Sequence, residues 1–176
     1  MKIILFLTFL TLSMQVSAQD YVFKHEGLWL TQNERSAIRV EKCEEGLCGT
    51  IAWIIEGGMQ HDTKNPDPAL RGQPMCGLKI MSGLEQDKKN TNRWSGGKIY
   101  KADEGDNYQV NLEYKSSDMV EVRGYVGFSL IGKSQNWTRV SAADYPQCTP
   151  ATPLEISEEE LEKEVVQKKK TLTINE

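Results

Sequence analysis

The chain is short of the groups that most often carry chemistry. Of its 176 residues only two are histidines, His25 and His61, and no Gly-x-Ser-x-Gly elbow occurs, so a serine triad would lack its usual scaffold signal. The four cysteines do not form the two close C-x2-4-C pairs expected of a zinc site. No apolar run reaches the ~20 residues that a membrane-spanning helix needs, which argues against stable membrane insertion. Positive charge is also scarce: 21 Lys and Arg face 25 Asp and Glu. That balance argues against nucleic acid, whose binders gather basic residues on one face.

What is present begins with an export signal. Lys2 precedes an apolar run from Ile3 to Leu12, and Val16-Ser17-Ala18 closes the segment with small residues before Gln19. Residues 1–18 are therefore expected to be removed, leaving about 158 residues with a net charge of about −5, enough for one domain. No cysteine stands at the cleavage point to take a lipid, so an exported protein without such an anchor is expected. In an oxidising compartment Cys43, Cys48, Cys76 and Cys148 are expected to form disulfides, with three possible connectivities. Cys43 and Cys48 flank a plausible hairpin tip, which favours that pair and leaves Cys76 with Cys148.

Period-two patterns dominate the rest. Tyr108, Val110, Leu112 and Tyr114 alternate with Gln109, Asn111 and Glu113, and Val120, Val122 and Val126 alternate with Glu121, Arg123 and Tyr125 beyond a turn at Ser117-Asp118. Further strands are expected at 27–31, 35–42, 47–56, 78–82, 98–102 and 133–140. The 47–56 segment is apolar on both faces, with Ile51, Trp53 and Ile55 against Ala52 and Ile54, so it should be covered on both sides. About eight short strands with no intervening helix point to an antiparallel barrel or sandwich. Gly27 two residues before Trp29, with Trp137 and Arg139 near the other end, favours the barrel: the glycine bends the backbone, Trp29 plugs one end, and Arg139 stacks on the ring. The expected fold is an eight-stranded antiparallel barrel over 19–145.

Two stretches break the alternation. Residues 57–77 carry Gly57, Gly58, Pro66, Pro68, Gly72 and Pro74, a composition that reads as a long ordered loop, and such loops often carry function. Residues 146–176 read as a Pro-containing linker into an acidic tail, where Ser157 and Glu160 form a capping box and Leu161, Val165 and Val166 a narrow apolar stripe. The tail is expected to form a short helix that rests on the barrel or docks a protein partner.

Asp62-Thr63-Lys64-Asn65-Pro66-Asp67-Pro68-Ala69-Leu70-Arg71, followed by Pro74-Met75-Cys76-Gly77-Leu78, resembles the central signature of a bacterial exported family known as domain of unknown function 2147. Gly27-x-Trp29, Cys48-Gly49-x-Ile51-x-Trp53, Trp94-x3-Lys98-Ile99-Tyr100 and Ser134-Gln135-x-Trp137-Thr138-Arg139 match it in the same order, so that the resemblance covers 27–140. It implies an up-and-down barrel like those of lipocalins and other calycins, residence in the periplasm of a Gram-negative bacterium, and binding of a small, largely apolar molecule, with no reaction. This chain departs from the pattern in having Tyr125 where many relatives have a cysteine, and in having Cys148 beyond the matching block.

Candidate site residues follow from these readings. Asn65, Asp67 and Arg71 are expected to brace the 57–77 loop, with Asp67 or Asp62 paired to Arg71; as a binding set, Arg71 would instead hold an acidic head group at the barrel mouth. Trp53, Trp94, Tyr100, Tyr108 and Tyr114 offer an apolar wall with polar tips that suits an amphipathic guest, although an eight-stranded interior is narrow enough to be filled by side chains alone. Gly27, Trp29, Trp137 and Arg139 are expected to be structural. A filled barrel would instead make the protein a non-catalytic envelope module acting through its loop or tail. An enzyme using His61, Asp62 and Asp67 is the least favoured reading. Gly127 to Ser134 has the letters of a phosphate loop but is followed by a strand pattern, and 103–107 clusters carboxylates without calcium-loop spacing, so both read as turns. No cofactor or metal is expected.

Overall fold

The structure, a computed structural model, describes residues 24–155 together with Ser157 and Val166. The expected signal segment at 1–18 and nearly all of the expected tail helix lie outside these residues. Within them the chain forms eight strands: β1 (Gly27–Leu30), β2 (Ser36–Cys43), β3 (Gly46–Ile54), β4 (Lys79–Gln86), β5 (Arg93–Lys101), β6 (Asp106–Ser116), β7 (Met119–Tyr125) and β8 (Gly132–Val140). Each pairs antiparallel with the next, and β8 pairs back onto β1, so the sheet closes into an up-and-down barrel without free edges.

The closure is written in the register. Leu28 lies opposite Val140, Trp29 opposite Arg139 and Leu30 opposite Thr138. Residues directly opposite one another share a face, so Trp29 and Arg139 both turn inward while Leu28 and Val140 turn outward. Along β6 the alternation read from sequence holds: Val110 and Leu112 are fully buried, with Tyr108 and Tyr114 in phase at opposite ends. β7 continues it with Val120 and Val122. Val126 lies one residue past the strand and is exposed.

Strand β3 departs from strict alternation. Ala37 pairs with Trp53 and Ile38 with Ile51, which leaves Ala52 as the extra residue of a bulge. The extra residue reverses the parity, so Ile51 and Ile54 join the interior while Ala52 and Trp53 join an outer cluster with Leu28, Leu30 and Ala37. Trp53 meets Tyr145 edge to face at 4.9 Å there. The strand is covered on both sides as its composition requires, but Trp53 is not an interior residue.

Both disulfides are Cys43–Cys48 and Cys76–Cys148. The first ties the β2–β3 hairpin; the second fastens the 57–77 loop to the segment after β8. That segment is held against the barrel rather than left as a free linker. The Cys148 N–H donates to Ala52 O at 2.8 Å and the Leu154 N–H to Gly72 O at 2.9 Å.

Candidate functional site: a cavity open at one end

Two halves of the barrel differ in packing. Toward the end formed by residues 24–26 and the β4–β5 and β6–β7 turns, Trp29, Val40, Leu47, Leu84, Trp94 and Leu112 fill the interior. Arg139 seals this end. Its Cζ stands 4.0 Å from the Trp29 ring centroid, and its guanidinium donates to Ser117 O at 2.6 Å, Glu26 O at 2.8 Å and Lys24 O at 2.7 Å. The indole Nε1 donates to His25 O at 3.0 Å. Gly27 makes room: with φ of 143°, its place for a Cβ lies 2.2 Å from Arg139 Nη1.

The same end contains two of the aromatics expected to line a binding site. Trp94 and Tyr114 both meet His25 edge to face, at 5.7 and 5.6 Å. They form the packed floor, not the wall of a guest site. His25 is 1% exposed and its Nε2 lies 2.9 Å from Asn92 O, so Nε2 carries the proton as donor. Burial first, with the positive charges of Lys24 and Arg139 beside it, outweighs that bond and lowers the imidazole pKa below its ordinary value.

At the opposite end the interior opens into a cavity of about 670 Å³. Its inner wall is apolar, with Ile51, Ile54, Met75, Ile80, Ile99 and Val122. Trp137 forms part of the wall, and its Nε1 donates to Gln135 Oε1 at 3.0 Å, so that Gln135 offers a guest its amide N–H groups. Along β8 the period of two places Lys133, Gln135, Trp137 and Arg139 on one face, running from the mouth to the sealed end. Gly124, in phase with Val120 and Val122 on β7, adds no side chain to this space; a Cβ there would meet only Tyr108 Cβ, at 3.8 Å.

Charge is confined to the rim. Arg35, Lys101, Asp103, Glu104 and Lys133 border the mouth. Lys101 pairs with Asp103 at 3.2 Å and with Glu104, and Tyr108 Oη donates to Glu104 at 2.8 Å. Hydrogen bonds from Lys101 and then Tyr108 hold the Glu104 carboxyl below its usual range. Tyr108 and Tyr100 are thus the two expected aromatics that do border the cavity.

The 57–77 loop forms one side of the mouth through Gly58 and Met59, and is fixed by a buried carboxylate. Asp62 is 0% exposed; its Oδ2 accepts from Asn65 Nδ2 at 2.7 Å and Gln73 Nε2 at 3.1 Å, and its Oδ1 accepts from Tyr100 Oη at 2.7 Å. Burial, and then this bond to Asp62, raise the Tyr100 pKa well above its ordinary value. Lys64 Nζ reaches Asp103 O at 2.7 Å, which carries the loop across to the β5–β6 turn. Asp67 caps the 3₁₀ turn Pro68–Leu70 by accepting from the Ala69 N–H, and Arg71 Nε donates to Asn65 O at 2.8 Å. Asn65, Asp67 and Arg71 therefore brace the loop, and none of them borders the cavity. His61 Nε2 lies 2.8 Å from Thr152 O, so it faces the C-terminal strap while Asp62 is engaged within the loop.

The sequence reading named Asp62 as a possible brace but missed its bonds to Asn65, Gln73 and Tyr100, and it missed the rim cations Arg35 and Lys133 and the apolar wall from β3, β4 and β5. Residues 126–131 connect β7 to β8, and a strand follows them, so the geometry of a phosphate loop is not present. Among the described residues no three His, Cys, Asp or Glu side chains come together as metal ligands, and no helix is long and apolar enough to cross a membrane.

A closed eight-stranded meander, sealed at one end by a Trp–Arg contact and hollow at the other, defines a lipocalin-like protein. The chain belongs to the family described as "Uncharacterized protein conserved in bacteria (DUF2147)", whose model matches residues 27–139. That span runs from the first residue of β1 to the penultimate residue of β8. Among solved structures it is similar to protein HP1028 from the human pathogen Helicobacter pylori, described as belonging to the lipocalin family. The identity is 21%, the TM-score 0.63, and the match covers 78% of this chain and 96% of the other. Comparison with curated proteins gives no match.

Proposed function

We propose that the protein is an exported, periplasmic carrier that holds one small, largely apolar or amphipathic molecule in its open half, without catalysing a reaction. The observation that carries this reading is the cavity of about 670 Å³, apolar within and charged only at its rim. That volume falls in the range of small-molecule sites, ~300–1,000 Å³. Burying an apolar chain there supplies affinity at roughly 25 cal/mol per Å². An acidic head group would meet Arg35 and Lys133 at the mouth, in place of Arg71, which braces the loop. The alternative of a structural module with a filled barrel is supported only by the packed half around Trp29.

The test is native mass spectrometry of protein exported by a Gram-negative host, followed by solvent extraction. A carrier shows an added mass that is released as an amphipathic compound. A bare chain that also fails to take up any long-chain carboxylate counts against the reading.

A further inference from the structure

The β7–β8 connection is unusual for a surface loop. Its sequence is Val126-Gly127-Phe128-Ser129-Leu130-Ile131, with no charged residue, and Phe128 is 77% and Leu130 90% exposed. Val126 and Ile131 are also exposed, and both border the cavity mouth, so the apolar surface continues from the loop tip into the interior. Scattered apolar residues on a surface need no explanation, but four within six positions at the entrance to an apolar cavity mark an interaction site.

Part of the backbone of this loop already has protein partners. Ile131 N–H donates to Phe128 O at 2.9 Å, and Arg123 donates from Nε to Ser129 O at 2.7 Å and from Nη2 to Leu130 O at 3.3 Å. Arg123 is held in turn by a bond from Nη1 to Ser134 Oγ at 3.1 Å. Three successive carbonyls thus have protein partners, which lowers the cost of taking the tip out of water. At the neighbouring rim Arg35, Lys101 and Lys133 stand with Asp103 and Glu104, a formal excess of one positive charge among these five side chains where anionic headgroups would lie.

We infer that residues 126–131 are a membrane-docking tip: Phe128 and Leu130 enter the interface of an anionic bilayer and bring the mouth against the lipid surface, from which the guest is collected or to which it is delivered. This deepens the carrier reading and rests on it for the direction of transfer, while docking itself is measured independently. It also names the source of the ligand as a membrane amphiphile.

The experiment is sedimentation of the exported protein with vesicles of phosphatidylethanolamine and phosphatidylglycerol, compared with vesicles of phosphatidylcholine alone. Phe128 and Leu130 do not border the cavity, so the double variant Phe128→Ser/Leu130→Ser leaves the guest site intact. The inference predicts binding to the anionic vesicles, weakened by about tenfold or more in the double variant, while uptake of a soluble long-chain carboxylate probe is unchanged. A second variant, Phe128→Trp, is expected to show blue-shifted emission on vesicle addition. Absence of wild-type binding to either vesicle, or equal binding by wild type and double variant, overturns the inference. Probe uptake without vesicle binding sinks docking and spares the carrier; vesicle binding without probe uptake does the reverse.

Discussion

Arg139 lies directly opposite Trp29 across the β8–β1 seam, with its guanidinium 4.0 Å from the indole centroid. One side chain therefore joins the last strand to the first and also holds the 24–26 segment and the β6–β7 turn through three carbonyls. Arg139→Ala removes the cation–π contact and these charge-assisted bonds, and is expected to cost about 2–3 kcal/mol. Gly27→Ala forces a methyl group against the guanidinium at a backbone angle that only glycine adopts easily, at about 1–3 kcal/mol. Denaturant unfolding should show lowered midpoints for both. A midpoint unchanged in Arg139→Ala would mean that the seam does not depend on this contact.

The Cys76–Cys148 bond closes a far longer stretch than Cys43–Cys48, with sequence separations of 72 and 5. In the chain-entropy account the long closure stabilises by about 4 kcal/mol and the short one by about 2. Replacing both members of the long pair by serine is expected to expose Lys64 and Arg71 to trypsin within the 57–77 loop. Replacing the short pair should leave that loop protected.

Tyr100 gives a stability term at alkaline pH. Its pKa is raised in the folded state from an ordinary value of 10.0, so folding favours the protonated phenol. The term is fully present below pH 10 and is lost as pH rises above it, because the unfolded chain gives up this proton first. Wild type should lose stability above pH 10 more steeply than Tyr100→Phe, as read from unfolding midpoints across the alkaline range. Parallel curves would show that Asp62 does not hold this proton.

His25 acts at the other side of neutrality. Its pKa is lowered from 6.5, so the unfolded chain takes up this proton before the folded one does, and stability falls as pH drops below 6.5. His25→Gln, which keeps a donor for Asn92 O, should flatten the pH dependence just below 6.5, ahead of the carboxylate range. An unaltered slope would show that the imidazole does not set it.

Strand number and the Cys43–Cys48 bond could be read from the sequence because each rests on a short-range pattern, alternation with turn residues in one case and a hairpin tip in the other; Cys76–Cys148 then followed by elimination, and closure from the Gly27-x-Trp29 and Trp137-x-Arg139 pairs at the two ends. Strands β4 and β5 are longer than expected because Gly83, Gly96 and Gly97 interrupt the apolar pattern that marks them. Trp53 was assigned to the wrong face because a bulge at Ala52 reverses parity and leaves no local signal. Tyr114 was correctly read as inward on the period of two, whereas Trp94 was named as a wall residue outside any expected strand; the height of both along the axis depends on strand tilt and stagger, which no single strand records. The bracing role of Arg71 was legible in the loop's own composition, but the loop's anchor was not, because Asp62 meets Tyr100 thirty-eight positions away.

The most direct test of the carrier reading uses Gly124, the inward-facing position with space for a side chain. Gly124→Phe should place a ring in the cavity without disturbing the seam at Trp29 and Arg139. Titration with a fluorescent long-chain polyene carboxylate is predicted to show one saturable site in wild type, and at least about tenfold weaker binding in the variant, or ~1.4 kcal/mol, with its unfolding midpoint retained. Equal affinity in the two proteins, or no saturable binding by wild type, would contradict the account.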